Sequence, residues 1–221
     1  MIEISFLHIG KNAGTQVKYV AKNLLKKGIK IKFYNHKVKL HELPIETKYF
    51  FSIREPASRF ISGFYSRKRK GMPRLYSEWS LHEKMAFKDF EHANNLAENL
   101  FSTDIKGISA LSAIKSISHT GMQQIDYFWR AAYFQIQPPI AIIRQEYFEE
   151  DMQKLLIRIG VETKISTLVT DDNIQSHKND YSETPPLSEL ARNNLKKWYV
   201  QDYMFYEYCE EWIKQKNENN I

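Results

Sequence analysis

The chain has 221 residues, 43% hydrophobic and 26% charged, with 8 Gly and 7 Pro, a composition that builds a packed core and excludes fibrous, disordered and low-complexity architectures. Its net charge of +6 is unevenly spread: residues 1–74 carry 17 Lys and Arg against 4 Asp and Glu, which suits the first third to an anionic partner without saying which one. The apolar runs fall short of the roughly 18 residues that span a bilayer, no signal peptide fits before the first strand-like segment, and the single Cys209 cannot form an internal disulfide, so a cytoplasmic protein is expected.

Ile2, Ile4, Phe6, Leu7 and Ile9 form an apolar strand that gives way to a loop through Gly14. From Thr15 onward Val17, Val20, Ala21, Leu24 and Leu25 repeat on one helical face with lysines on the other, and Gly28 ends the helix. Strands follow at Ile29–Tyr34 and Tyr49–Ile53, then a helix over about 57–66. The stretch 72–136 is mainly helical, and its aromatic cluster near 127–134 reads as core. A buried strand is expected at Ile140–Ile143, a helix over 146–159, a polar segment over 170–186, and one long final helix whose polar tail from Lys214 frays. Strands joined by helices predict an α/β fold in three layers, P-loop-like. Its central, mostly parallel sheet is flanked by helices, with a helical insert at about 72–136, in a single domain over 1–221. Ligands of such sheets bind beyond the carboxyl ends of the strands.

Two segments lie at such ends. The first, His8-Ile9-Gly10-Lys11-Asn12-Ala13-Gly14-Thr15-Gln16, joins a strand to a helix, where backbone N–H groups and the helix dipole cradle phosphate. It lacks the G-x-x-x-x-G-K-[ST] order of an ATP-binding loop, because Thr15 follows Gly14 directly and Lys11 precedes it. The second runs from Arg54 through Pro56 and Arg59 to Ser62, offering a guanidinium at the sheet edge and a hydroxyl two turns later for a second phosphate.

The His-x-x-Lys-x-x-Gly-Thr loop at 8–15 together with Arg-x-Pro-x-x-Arg-x-x-Ser at 54–62 resembles the sulfotransferases that use 3'-phosphoadenylyl sulfate (PAPS), in particular those related to heparan sulfate 2-O- and 6-O-sulfotransferases. The resemblance implies that Lys11, Asn12, Ala13, Gly14, Thr15 and Gln16 bind the 5'-phosphosulfate and that Arg54 and Ser62 bind the 3'-phosphate. Lys11 would also stabilise the charge on the departing adenosine 3',5'-bisphosphate. The family's loop usually has Pro before the lysine and Thr after it, where this chain has Gly10 and Asn12. Lys178 is expected over the nucleotide by the same resemblance.

A hydroxyl acceptor needs a proton-accepting base. The family places a histidine between the first helix and the third strand, which leaves His36 and His41; His36 is preferred because it follows the end of a strand. His8 is expected to orient the loop from beneath. Arg67 and Lys68, in the basic run 67–70, and His119 are candidate acceptor contacts, with a solvated face and a structural histidine as the plain alternatives. No residue set has metal-ligand spacing, so no metal is expected. The expected function is sulfonate transfer from PAPS to a hydroxyl of a carbohydrate or glycolipid acceptor. The rivals are an NTP-dependent small-molecule kinase and, with no nucleic-acid motif to support it, a basic nucleic-acid-binding module.

Overall fold

The computed structural model describes residues 2–73, 75–128, 132–169 and 181–218. The chain divides into two compact units, one from Met1–Arg54, Gln124–Asn179 and Glu207–Ile221, the other from Glu55–Gln123 and Asp180–Tyr206.

The first unit is an α/β layer structure. Its sheet comprises β1 (Ile2–Leu7), β2 (Ile29–Tyr34), β3 (Tyr49–Ile53) and β4 (Ala141–Arg144), all parallel, in the order β2-β1-β3-β4. The central strand β3, Tyr-Phe-Phe-Ser-Ile, is buried at every position, as a strand covered on both faces must be. β2 lies at the edge, burying Ile29 and Ile31 and exposing Lys30 and Lys32, charges that discourage pairing with another chain. Helices α1 (Gly14–Leu25) and α7 (Phe148–Arg158) cover one face. Val17, Val20 and Leu24 of α1 and Met152, Leu155 and Leu156 of α7 share a core with Ile4, Phe6, Phe50 and Ile143. On the other face Phe51 packs against Phe128, of the 3₁₀ turn Ile125–Phe128, and Phe134, of the short helix α6 (Ala132–Ile136), and Phe134 meets Tyr208.

The second unit is helical: α2 (Pro56–Lys68), α3 (Leu81–Asp89), α4 (Ala93–Asn99), α5 (Ile105–Ser116), α8 (Glu189–Trp198) and the start of α9 (Val200–Glu218). Phe60, Phe64, Phe87, Leu96, Ile114, Leu195 and Tyr199 are among its core. Caps set its helix starts: Glu55 accepts from the backbone N–H groups of Ala57 and Ser58, Asp104 from Gly107, and Ser188 from Ala191. Ser80 and Glu83 form a reciprocal capping box on α3.

The expected single final helix is two. Tyr199, at φ −99° and ψ 28°, breaks the run between α8 and α9, and its buried hydroxyl donates to the Thr120 carbonyl at 2.7 Å. The polar tail also departs from expectation, since α9 continues to Glu218. Among the described residues of 72–136 there are helices and turns and no strand. None of the described helices is long and apolar enough to cross a membrane.

Candidate active site

The strand order places a topological switch at β1: the chain moves from β1 to β2 on one side and then to β3 on the other. Ligands of open α/β sheets bind at the carboxyl ends flanking such a switch. Three segments emerge there, namely the 8–13 loop after β1, the Asn35-His36 turn after β2, and Arg54 after β3.

The loop has an unusual backbone. Lys11 and Ala13 both adopt positive φ, 70° and 55°, separated by Asn12, which does not. Alternation of left- and right-handed residues turns successive N–H groups toward one point and forms an anion-binding concavity. Each left-handed residue carrying a Cβ costs roughly 1–2 kcal/mol, a strain that clusters at functional sites. The α1 helix that follows has no side-chain cap and no acidic residue in its first turn, so its N-terminal dipole remains available to negative charge.

The loop is held from below. Asn12 is fully buried, donating from Nδ2 to the Ser52 carbonyl at 2.8 Å and to Gln124 Oε1 at 2.5 Å, while Ser52 Oγ donates to the Asn12 carbonyl. Ser52 is a fully buried polar residue of β3, and both its hydroxyl and its carbonyl bond Asn12 of the loop. Asn12 thus braces the cradle with its side chain, at the position where the family usually has Thr. Arg54 is half-buried and directs Nη1 to the Lys11 carbonyl at 3.5 Å, so the guanidinium stands beside the loop.

His8 and His36 touch ring to ring, with centroids 4.0 Å apart and planes inclined at 49°. His36 Nδ1 lies 3.1 Å from the His8 carbonyl. A carbonyl only accepts, so this contact requires a proton on Nδ1 and fixes the neutral tautomer with its lone pair on Nε2. The turn is built by Asn35, whose side chain accepts from the Lys37 N–H and whose carbonyl accepts from Val38; Tyr127 donates to the His36 carbonyl at 3.0 Å. His8 packs its ring on Gly14, where an added Cβ would fall 1.7 Å from His8 Nε2. Only glycine leaves room for that ring. His41 lies exposed in the 3₁₀ turn Leu40–Glu42.

The model of the sulfotransferase family matches residues 2–209. The chain belongs to the sulfotransferase family. It is an enzyme of the sulfonate-transferring class, and membership implies PAPS as the donor. The kinase and nucleic-acid readings are thereby set aside. No match was found among curated proteins or among solved structures.

The structure gathers Lys11, Asn12, Ala13, Gly14, Thr15, Gln16, Arg54 and His36 of this sulfotransferase in the first unit. Ser62, Arg67, Lys68 and His119 belong to the second. Ser62 is buried on α2. Arg67 is buried and its guanidinium is spent within the helical unit: Nε and Nη2 grip Glu83 at 2.7 and 2.8 Å, and Nη1 and Nη2 donate to the Ser77 and Glu78 carbonyls. With those donors committed, Arg67 is a structural residue and is not carried further as an acceptor contact. Burial pushes the Glu83 carboxyl up, but the Arg67 hydrogen bonds and the N–H groups of Ser80 and Ser118 outweigh it and hold the group at about 2. Lys68 donates to the Glu91 carbonyl, and His119 is half-buried at φ 76° with its carbonyl against Gly63. Lys178 lies outside the described residues. Among the described residues no group of His, Cys, Asp and Glu is arranged to hold a metal.

One participant has no sequence signal. Gln124 is fully buried and bonds both Asn12 and Arg54, yet it stands in a polar stretch with nothing to mark it.

Proposed function

We propose that this sulfotransferase moves the sulfonate of PAPS to a hydroxyl of a carbohydrate, free or lipid-linked, with His36 as base and Lys11 beside the leaving phosphate. The observation that carries the donor half is the loop itself: two left-handed residues, an uncapped helix N-terminus and the Arg54 guanidinium against the Lys11 carbonyl form a cationic, N–H-lined cradle. These features fit a doubly phosphorylated nucleotide. PAPS supplies an activated sulfonate on a good leaving group; the remaining work falls to the chain. Lys11, Ala13, Gly14, Thr15 and Gln16 would hold the 5'-phosphosulfate, and Arg54 the 3'-phosphate. Ser62 is assigned to that phosphate by the motif alone.

His36 is suited to deprotonate the acceptor because its Nδ1 is tied to the His8 carbonyl, leaving Nε2 as the basic atom. As sulfur–oxygen cleavage proceeds, the Lys11 ammonium faces growing negative charge, a stabilisation greater in the transition state than in the ground state. A carbohydrate acceptor is favoured by the resemblance of both motifs to glycan sulfotransferases, and Lys68 and His119 remain candidate acceptor contacts on that basis. We read the two units as one catalytic domain, since a single family model spans residues of both.

Calorimetric titration of adenosine 3',5'-bisphosphate, AMP and ATP, with and without Mg²⁺, tests the donor assignment. Metal-independent binding that needs the 3'-phosphate and is lost in Arg54→Ala supports it. Preference for Mg-ATP sinks it.

A further inference from the structure

Arg54 lies one residue beyond the end of β3, and a single side chain bonds both its backbone N–H and its carbonyl. Gln124 Oε1 accepts from the Arg54 N–H at 3.0 Å, and Gln124 Nε2 donates to the Arg54 carbonyl at 2.8 Å. The same Oε1 accepts from Asn12 Nδ2 at 2.5 Å. The circuit closes through Arg54 Nη1, which reaches the Lys11 carbonyl at 3.5 Å. Gln124 is fully buried and its bond to Asn12 is made away from competing water, while its bonds to Arg54 are partly buried. A primary amide presents an acceptor and a donor side by side to a peptide at any pH, whereas a carboxyl group does so only when protonated.

We propose that Gln124 is a positioning residue that fixes the spacing between the anion loop and Arg54, and so makes the enzyme select a nucleotide carrying both a 5'- and a 3'-phosphate over one carrying the 5'-phosphate alone. The inference rests on the PAPS reading above. Two anion-binding groups on different strand ends discriminate by distance only if the distance is rigid, because misplacement of about 1 Å forfeits much of an oriented contact. Asn12 is already anchored to β3 through Ser52. Gln124 adds the link that Ser52 cannot make, from the loop to the backbone of Arg54 itself.

Two substitutions separate positioning from general support of the fold. Gln124→Leu removes every bond. Gln124→Glu keeps the volume and, when ionised, keeps the acceptor but sets a carboxylate oxygen against the Arg54 carbonyl; when protonated it regains a donor. The experiment titrates adenosine 3',5'-bisphosphate and AMP into wild type, Gln124→Leu, Gln124→Glu, Arg54→Ala and Gln124→Glu/Arg54→Ala at pH 8 and pH 5.5. Each variant is compared with wild type at the same pH so that titration of the ligand cancels, and its fold is checked by circular dichroism. We expect the ratio of the two affinities to fall about tenfold or more in Gln124→Glu at pH 8, the scale of one hydrogen bond to a charged group. The ratio should recover toward wild type at pH 5.5, and the substitution should leave the ratio unchanged in the Arg54→Ala background. Gln124→Leu should lose the ratio at both pH values. A Gln124→Glu ratio equal to wild type at pH 8, or a loss that persists without Arg54, overturns the inference, including when Gln124→Leu fails to fold. A wild-type protein without preference for the bisphosphate overturns the donor reading and this inference with it. That outcome is visible before any variant is made.

Discussion

At φ 70°, Lys11 holds a Cβ in the left-handed region, at a cost of roughly 1–2 kcal/mol that glycine does not bear. Lys11→Ala removes the ammonium and keeps this strain; Lys11→Gly removes both. The two variants differ by one methyl, and the greater freedom of glycine in the unfolded chain takes back about 0.5–1 kcal/mol. Lys11→Gly should therefore be the more stable of the pair by about 1 kcal/mol or a little less, which for a chain of this size raises its melting midpoint above that of Lys11→Ala by about 2–4 °C. Turnover should move the other way from wild type in both. Loss of one group that meets developing negative charge costs about 10²–10³ in kcat. Thermal melts followed by circular dichroism, beside an assay of adenosine 3',5'-bisphosphate release, measure the two quantities. If Lys11→Gly melts below Lys11→Ala, the loop is not strained as argued. Wild-type turnover in Lys11→Gly would take the lysine out of the chemistry.

His36→Ala should lower kcat by about 10²–10⁴ while nucleotide binding is retained, and His41→Ala should change neither; a fully active His36→Ala removes the base assignment. Gly14→Ala drives a methyl into the His8 ring, so a loss of about 1–3 kcal/mol is expected in chemical denaturation, and His8→Ala in the same chain should restore most of it. If the double variant is no more stable than Gly14→Ala, the ring contact is not the cause. Arg67→Met leaves the Glu83 carboxylate buried without its partner and should destabilise the protein by about 3–5 kcal/mol, whereas an exposed acceptor-binding arginine would cost almost nothing. Glu83 has a folded value of about 2, below its unfolded value, so its contribution is fully present above the unfolded value and drains away as pH falls toward 2. Denaturation midpoints of Glu83→Gln should vary less than those of wild type across that acid window, and equal slopes would contradict the assignment.

Much of the first unit could be read directly from local pattern. β2 and β3 fall where alternation and apolar runs predicted them, and α1 where the Val17–Leu24 periodicity did, because those segments are buried by the same few neighbours wherever the chain takes them. The motif at 8–15 was legible because its Lys, Gly and Thr fall at fixed spacing between a strand and a helix, whereas the left-handed backbone of Lys11 and Ala13 was not, since neither residue type favours it. The break at Tyr199 was not legible either, since nothing in the sequence around it distinguishes one long amphipathic helix from two, and the partner that its hydroxyl meets there, the Thr120 carbonyl, lies 79 residues earlier. Arg67 misled for the same kind of reason. A basic run looks solvated until the fold supplies Glu83, and only then does one of its four charges become internal.

By itself the sequence determined the strands, the loop after the first of them and the family whose motifs it carries, because these depend on side-chain periodicity and on residue spacing over short stretches. Tertiary structure alone decided that Asn12 faces inward to Ser52, that the carbonyl of His8 selects the tautomer of His36, and that Gln124 joins the loop to Arg54. Each of those is a directional hydrogen bond between residues 28 to 112 positions apart, and a buried polar group takes whichever partner the fold brings within reach.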